Sequence, residues 1–358
     1  MGTALYSGSS QIALRMICSH ALNETGWIEL FRDRLRAAIR YRSEVIRGGG
    51  TGTDSARLVF SEADFLPGLI ADKYNDLVIL QLLTQGMNTA AVRAAFLDVV
   101  SEEVGPRAVY ERTDPRVQEL EELGPSTEGP LFLADGLDAA TASDTIFRLN
   151  GFCFQYDVNQ GQKTGAFLDQ RENYAAAARH CRGKALDVCT YQGGFALHLA
   201  QVCERVTGID ASIPALEVAE RNLALNQEKL GEIAIEWIEA NAFDLLRDWS
   251  ASGKHFDSIV LDPPAFAKSK RATEGALRGY KELNLRALKM LRPGGTLVTC
   301  SCSHHLGIED FTAVVSAAAS DARRQVRLIE RRGAATDHPV LLTVPETEYL
   351  KCLICRVE

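Results

Sequence analysis

The chain has 358 residues, 46% of them hydrophobic and 24% charged, and a formal net charge of −8. This composition excludes collagen-like, fibrous and disordered classes, and the length suits two domains better than one hydrophobic core. The acidic balance excludes a surface basic all over for nucleic acid but leaves room for a local basic patch.

No apolar run is long enough for a transmembrane helix, and the N-terminal stretch lacks the basic start and apolar block of a secretory signal. The expectation is no membrane association and a cytoplasmic location. Nine cysteines, an odd number scattered along the chain, read as reduced thiols rather than a disulfide framework.

In chain order, the first periodic segment runs from Trp27 to about Arg47. Ile28, Phe31, Leu35, Ile39 and Val45 or Ile46 fall near helical spacing, and Asn23 or Thr25 can cap its start. Arg32, Arg34, Arg36, Arg40, Arg42 and Arg47 decorate it. The interleaved Glu29, Asp33 and Glu44 favour a solvated helix face over a phosphate-facing patch. Residues 48–53, four of them glycine, read as a linker. Beyond it, residues 56–61 and 76–83 read as strands, 88–104 as a helix, and 107–111, 131–134 and 147–156 as further strands, a pattern that suits a compact α+β domain.

From about Arg171 helix and strand signals alternate. Residues 185–189, 206–210, 233–238, 256–262 and 296–301 read as strands, with helices after the first two. That alternation predicts an α/β domain built on a parallel sheet covered on both faces, with ligands bound beyond the carboxyl ends of its strands. Each strand end carries a suggestive residue. Asp187 precedes Gly193-Gly194, a glycine pair that lets a ligand approach the backbone or simply makes a tight turn. Asp210 can bind two ribose hydroxyls or cap the next helix, and Asn241 can meet an adenine edge or cap its own helix. Asp262-Pro263-Pro264 makes a rigid exit from an apolar strand, with a carboxylate that the strand itself leaves unpaired. Thr299-Cys300-Ser301-Cys302-Ser303 ends the fifth strand. Its thiols suit a nucleophile or two buried structural cysteines. Zinc is disfavoured, because a C-x-C spacing is not the usual one and Cys352 and Cys355 are three apart in an apparent strand.

Together these strand tips resemble class I S-adenosylmethionine-dependent methyltransferases, and more narrowly the RlmI-like family of 23S rRNA (cytosine-C5) methyltransferases. The carrying segments are residues 159–171 (NQGQKTGAFLDQR), DVCTYQGGFALHLA from Asp187, VTGIDASIPALEVAERNLALN from Val206, DSIVLDPPAFAKSK from Asp257, TCSCS from Thr299 and DHPVLLTVPETEYLK from Asp337. The resemblance implies a Rossmann-like methyltransferase sheet over residues 166–358, a central α+β domain over 51–165, and a remnant of a PUA RNA-binding domain with its linker helix over 1–50.

It also implies S-adenosylmethionine as cofactor and RNA, specifically 23S rRNA, as partner. A homodimer stays open, and no metal is implied. By resemblance, Asp187, Gly193 and Gly194 surround the cofactor's methionine part, Asp210 its ribose, and Asn241 with Ala242 its adenine. Thr190, Ala211 and Asp262 join the binding set, and Lys163 and Thr164 close it from the preceding segment. Cys302 is the implied nucleophile on carbon 6 of cytosine, and Asp262 the group that holds the base edge. Strand alternation puts Cys300 on the same side as Cys302 and does not exclude it. The chain departs from the family pattern at Asn241, where Asp is commoner, and at Ala265, where Lys is usual. Rival readings are an amino or guanine-N7 methyltransferase, which needs no Cys302, and a non-catalytic RNA-binding assembly factor. A nicotinamide oxidoreductase is disfavoured by the missing G-x-G-x-x-G.

Overall fold

A computed structural model describes residues 2–10, 12–48, 52–139, 141–159, 165–233, 235–266 and 273–358, with backbone alone over 45–48. The chain divides into two compact units, Met1–Leu168 with Thr336–Thr347, and Asp169–Ala335 with Glu348–Glu358. Among the described residues no helix is long and apolar enough to cross a membrane.

The first unit begins with an antiparallel ladder of β1 (Thr3–Tyr6) and β2 (Leu14–Cys18), followed by the long helix α1 (Glu24–Gly48). A five-stranded sheet then runs in chain order through β3 (Ala56–Phe60), β4 (Leu69–Tyr74), β5 (Leu77–Leu82), β6 (Ala108–Glu111) and β7 (Pro130–Leu133). Helix α2 (Ala90–Glu103) carries the chain from β5 to the parallel β6, and the short α3 (Pro115–Leu120) precedes β7. Phe31, Leu35 and Ile39 of α1 and Phe96 of α2 share one buried core with Val78 and Leu80 of β5.

The structure adds to and corrects the sequence expectation. Strand β4 and helix α3 lie in stretches that the sequence left unassigned. Residues 147–156 are not one strand but the tips of a hairpin, β8 (Asp144–Leu149) and β9 (Phe152–Asp157). Asn150 and Gly151 at its turn both have positive φ, 52° and 77°, the backbone that lets a two-residue loop follow the strand twist.

The arginines of α1 are largely engaged within this unit. Arg32 pairs with Asp98 at 2.7 Å and Arg36 with Glu102 at 2.8 Å, while Arg34 donates to the carbonyls of Ile17 and Phe65. Arg42 departs from the solvated-face expectation. It is buried, forks onto both carboxylate oxygens of Asp64, and donates to the carbonyls of Arg57 and Asp337. Loss of either partner strands a buried charge, a cost of about 3–5 kcal/mol, whereas the exposed pairs are worth about 1 kcal/mol or less.

The second unit is built on a seven-stranded sheet. Its strands are β10 (Lys184–Val188), β11 (Arg205–Asp210), β12 (Ile235–Glu239), β13 (Phe256–Leu261), β14 (Leu291–Ser301), β15 (Val326–Arg332) and β16 (Lys351–Val357), in the order β12-β11-β10-β13-β14-β16-β15. The first five in that order run parallel, and β16 lies antiparallel between β14 and β15. Helices α4 (Arg171–His180), α5 (Gly194–Ala200), α6 (Ile213–Leu225), α7 (Gln227–Leu230), α8 (Ala242–Ser252), α9 (Thr273–Met290) and α10 (Ile308–Ala322) complete it.

Buried apolar residues of α9 and α10, such as Leu283, Leu288 and Phe311, share a core with Leu186, Ile259 and Leu297 of the sheet. Burial of each Leu contributes about 1.5–3 kcal/mol. The chain leaves β10 in one direction to β11 and β12, then returns to place β13 on the other side of β10. The order therefore reverses between β10 and β13, the switch point where open Rossmann-like sheets bind ligands.

Candidate active site

The loop after β10 is strained. Cys189 and Tyr191 both have left-handed backbones, φ 63° and 51°, and Gly193 follows at φ 85°. Two non-glycine residues in that region within three positions cost free energy that the surroundings must offset, and such strain gathers at functional loops. Gly193 suits its position because only glycine adopts that φ without penalty. Gly194 is required for a different reason from the one its sequence suggests. A Cβ there would lie 2.5 Å from the Tyr174 phenol, so glycine allows α5 to pack closely on α4.

Asp187 lies under this loop and is fully buried. Its Oδ2 accepts from the Thr190 hydroxyl at 2.5 Å and from the Ala196 N–H at 2.9 Å. Its Oδ1 is buried with no hydrogen-bond partner among the described residues. Burial pushes its carboxyl up to about 7, against those two hydrogen bonds, which favour the ionised form.

Asp210 ends β11 and is not the cap of α6. Ser212 caps that helix by accepting from Ala215 N–H, while Asp210 accepts the N–H groups of Tyr191 and Ser212 at 2.9 Å each. Its two oxygens are thereby fixed at the strand tip, each with a second lone pair remaining, and Ala211 next to it is exposed. Asn241 does cap its helix: its Oδ1 accepts from Phe243 and Asp244 N–H at the start of α8, with Ala242 opening the helix. The Ala240 N–H donates to the Asp210 carbonyl, which holds this turn beside β11. An open cleft of about 490 Å³ is lined by Phe243, Phe266, Arg278 and Gly279.

Asp262 follows β13, and its carboxylate finds a partner from outside the strand. Its N–H donates to the Val188 carbonyl of β10, and its Oδ1 accepts from Gln170 Nε2 at 2.9 Å. Gln170 in turn accepts from Asn173 Nδ2 at 2.7 Å. Burial, then the negative charges of Asp169 and Asp187, hold the Asp262 carboxyl well above the ordinary carboxylate range, and the Gln170 bond only partly opposes them.

Neighbouring β14 ends at Ser301, and Cys302 lies just beyond it, half-buried, with Sγ 4.0 Å from the Pro263 carbonyl. Cys300 differs: it is fully buried opposite Cys352 on β16. The hydrogen bond to Cys352, then burial, hold its thiol well above the ordinary range.

The second unit thus brings Asp187, Thr190, Gly193, Gly194, Asp210, Ala211, Asn241, Ala242, Asp262 and Cys302 to the carboxyl-end edge of one sheet. Lys163 and Thr164 lie outside the described residues. Sequence reasoning missed Gln170, Asn173 and Tyr174, which line the Asp262 side. Gln170 stood in the NQGQKTGAFLDQR stretch, but its partner is 92 positions away and no spacing rule connects them. Among the described residues no group of three or more His, Cys, Asp or Glu is arranged to hold a metal.

The buried, unpartnered Asp187 Oδ1, the doubly anchored Asp210 and the strained Gly-containing loop at the switch point suit a cationic, ribose-bearing cofactor. Residues 139–356 match the S-adenosylmethionine-dependent methyltransferase family. A curated relative from Pseudoalteromonas translucida, named ribosomal RNA large subunit methyltransferase I, is 38% identical over all of this chain and 87% of its own length. A namesake from Serratia proteamaculans is 37% identical over 98% of this chain and 86% of its own length. Among solved structures, a SAM-dependent methyltransferase from Streptococcus mutans superposes with a TM-score of 0.80 at 17% identity, covering 99% of this chain and 88% of that one. Another, solved with S-adenosylhomocysteine, has the same TM-score at 18% identity and the same coverage. The chain belongs to the S-adenosylmethionine-dependent methyltransferase family, alongside the large-subunit ribosomal RNA methyltransferases I.

Proposed function

We propose that the protein methylates carbon 5 of a cytosine in 23S ribosomal RNA, with Cys302 as nucleophile and Asp262 as the acid at the base edge. The observation that carries this reading is the placement of a half-buried thiol at the tip of β14, 4.0 Å from the carbonyl that follows Asp262 at the tip of β13. The names of the relatives supply the RNA class.

Carbon 5 of cytosine is a poor nucleophile. Addition of the Cys302 thiolate to carbon 6 forms an S–C bond and moves the ring's double-bond electrons toward carbon 5 and N3. Asp262, held neutral by its surroundings, gives its proton to N3 and so carries the developing charge. S-adenosylmethionine supplies a methyl group on a sulfonium whose leaving group is a neutral thioether. Once carbon 5 holds the methyl, it loses its proton to a base. The electrons of that C–H bond restore the carbon 5–carbon 6 double bond as the S–C bond breaks and its pair returns to Cys302, and N3 gives its proton back to Asp262.

Residues of the first three strand tips hold the cofactor in this account. Asp187 and Thr190, with the Gly193-Gly194 turn, face its methionine part; Asp210 and Ala211 the ribose; Asn241 and Ala242 the adenine. Lys163 and Thr164 would close the site. We assign the methyltransferase domain to residues 166–358, apart from residues 336–347, which group with the first unit, and a central domain to 51–165.

The pH dependence of cofactor binding follows from Asp187. With its carboxyl at about 7 in the cofactor-free protein, Asp187 carries a proton below that pH. A nearby sulfonium or ammonium favours the carboxylate, so binding expels the proton. Affinity should therefore rise with pH through the region below about 7, by up to about tenfold per unit, and flatten above it. Calorimetric titration with S-adenosylmethionine in buffers of different ionisation enthalpy measures the released proton. The slope should vanish in Asp187→Asn, and a pH-independent affinity in the native protein counts against this assignment.

The reaction is tested by methyl transfer from labelled S-adenosylmethionine to unmodified 23S rRNA, with nucleoside mass spectrometry of the product. Formation of 5-methylcytosine supports the proposal. An amino-methylated base or 7-methylguanosine overturns it in favour of chemistry that needs no thiol.

A further inference from the structure

Among the described residues, Lys351 is a buried charged group beside the Cys302 segment that has no role in the proposed mechanism. It opens β16, pairs across the sheet with Ser301, and is almost wholly buried. Its ammonium donates to the carbonyls of Ser303 and Tyr349, each at 2.7 Å. Two of its three N–H groups are thereby used on neutral acceptors. Among the described residues no carboxylate lies within ion-pairing distance of it, and a buried ammonium without an anion is costly. Ser303 directly follows Cys302, so the carbonyl that anchors the ammonium belongs to the segment carrying the thiol.

We propose that Lys351 is a positioning residue for Cys302, a buried ammonium that favours the thiolate at the end of β14 and holds that segment in place. The inference rests on the reading of Cys302 as nucleophile. In the step it assists, the Cys302 S–H bond breaks, the electron pair stays on sulfur, the proton leaves to solvent, and Lys351 keeps its own proton.

The electrostatics agree with the geometry. Burial pulls the Lys351 amine down to about 8, and the charge of Cys302, then that of Glu348, opposes this fall. The amine is thus mostly protonated at neutral pH and loses its charge just above it.

Other groups face this pair. From α9, Tyr280 shares a hydrogen bond with Ser303 Oγ; burial raises its phenol, and the charge of Cys302 adds a smaller push in the same direction. Asp262 precedes the proline whose carbonyl meets Cys302 Sγ, and the exposed Glu348 precedes β16. His304 stacks on Tyr349. Of these groups Lys351 is the amine held mostly protonated at pH 7, which is why the effect is assigned to it.

The test is the pH dependence of Cys302 alkylation by iodoacetamide, resolved by peptide mass spectrometry, in the full-length native protein, Lys351→Met and Lys351→Arg. Circular dichroism and S-adenosylmethionine binding confirm that each variant is folded. In Lys351→Met the midpoint of Cys302 reactivity should rise by about one pH unit or more, an approximately tenfold loss of thiolate near neutral pH, while Lys351→Arg keeps the native midpoint. The pH profile of methyl transfer should move with it. An unchanged midpoint in a folded Met variant, or a raised one in a folded Arg variant, overturns the inference. Alkylation needs no methyl acceptor, so the result is separable from the parent reading. If Lys351 shifts the thiol and Cys302→Ala still methylates RNA, only the nucleophile assignment fails.

Discussion

Replacement of Cys302 by Ala should abolish methyl transfer, with kcat down by about a thousandfold or more and S-adenosylmethionine affinity nearly unchanged. Without a thiolate at carbon 6, carbon 5 has no electron density to attack with, and none of the other interactions at the strand tips replaces it. Cys302→Ser should be almost as damaged, because a serine hydroxyl is far harder to ionise than a thiol. Cys300→Ala is the informative control. Cys300 is fully buried against Cys352, and its thiol is held well above the ordinary range, so it is poorly placed to form a thiolate. That variant should keep most activity and lose some stability from the small cavity, on the order of 1 kcal/mol. Single-turnover methylation with the three variants distinguishes these outcomes. Loss of activity in Cys300→Ala with survival of Cys302→Ala would reverse the assignment.

Asp262→Asn should lower kcat by about a hundredfold to ten-thousandfold, the range set by loss of a positioned proton donor. The reason lies in its surroundings. Burial and the nearby Asp169 and Asp187 favour the neutral acid, which can pass a proton to N3 as negative charge builds in the ring. Asn can donate a hydrogen bond but cannot transfer that proton. The defect should fall on kcat more than on KM for RNA, and it should not be rescued by higher pH. A Gln170→Ala variant should show a smaller loss, since Gln170 orients the carboxyl by one hydrogen bond without touching the base. An Asp262→Asn enzyme with native kcat would remove the acid from the mechanism.

Much of the second unit was legible because its signals are local. The apolar runs at β10, β11 and β13 are short, buried and separated by helical periodicity, so their number and their polar tips could be read directly. Their spatial order could not. That β13 returns to the far side of β10, making the switch point, depends on long-range pairing. Glycine identity was legible and its cause was not: the Tyr174 ring over Gly194 comes from another helix. Asn241 shows the opposite limit, since both of its sequence readings use the same side chain and the structure commits its Oδ1 to the helix cap.

In the first unit the Asn150-Gly151 turn carried a hairpin signal inside a run that reads as one continuous strand. The arginines of α1 could not be sorted by charge pattern, because Arg42 is buried by partners at positions 57, 64 and 337, far from it in sequence.

The proposed reaction depends on a covalent bond between Cys302 and carbon 6 of the target base. RNA containing 5-fluorocytosine tests it most directly, because fluorine cannot leave carbon 5 as a proton does and the adduct should persist. Incubation with the protein and S-adenosylmethionine should yield a denaturation-resistant protein–RNA complex whose digested peptide carries the methylated base on Cys302. Absence of any adduct, or an adduct on another residue, while ordinary RNA is methylated under the same conditions, contradicts the claim.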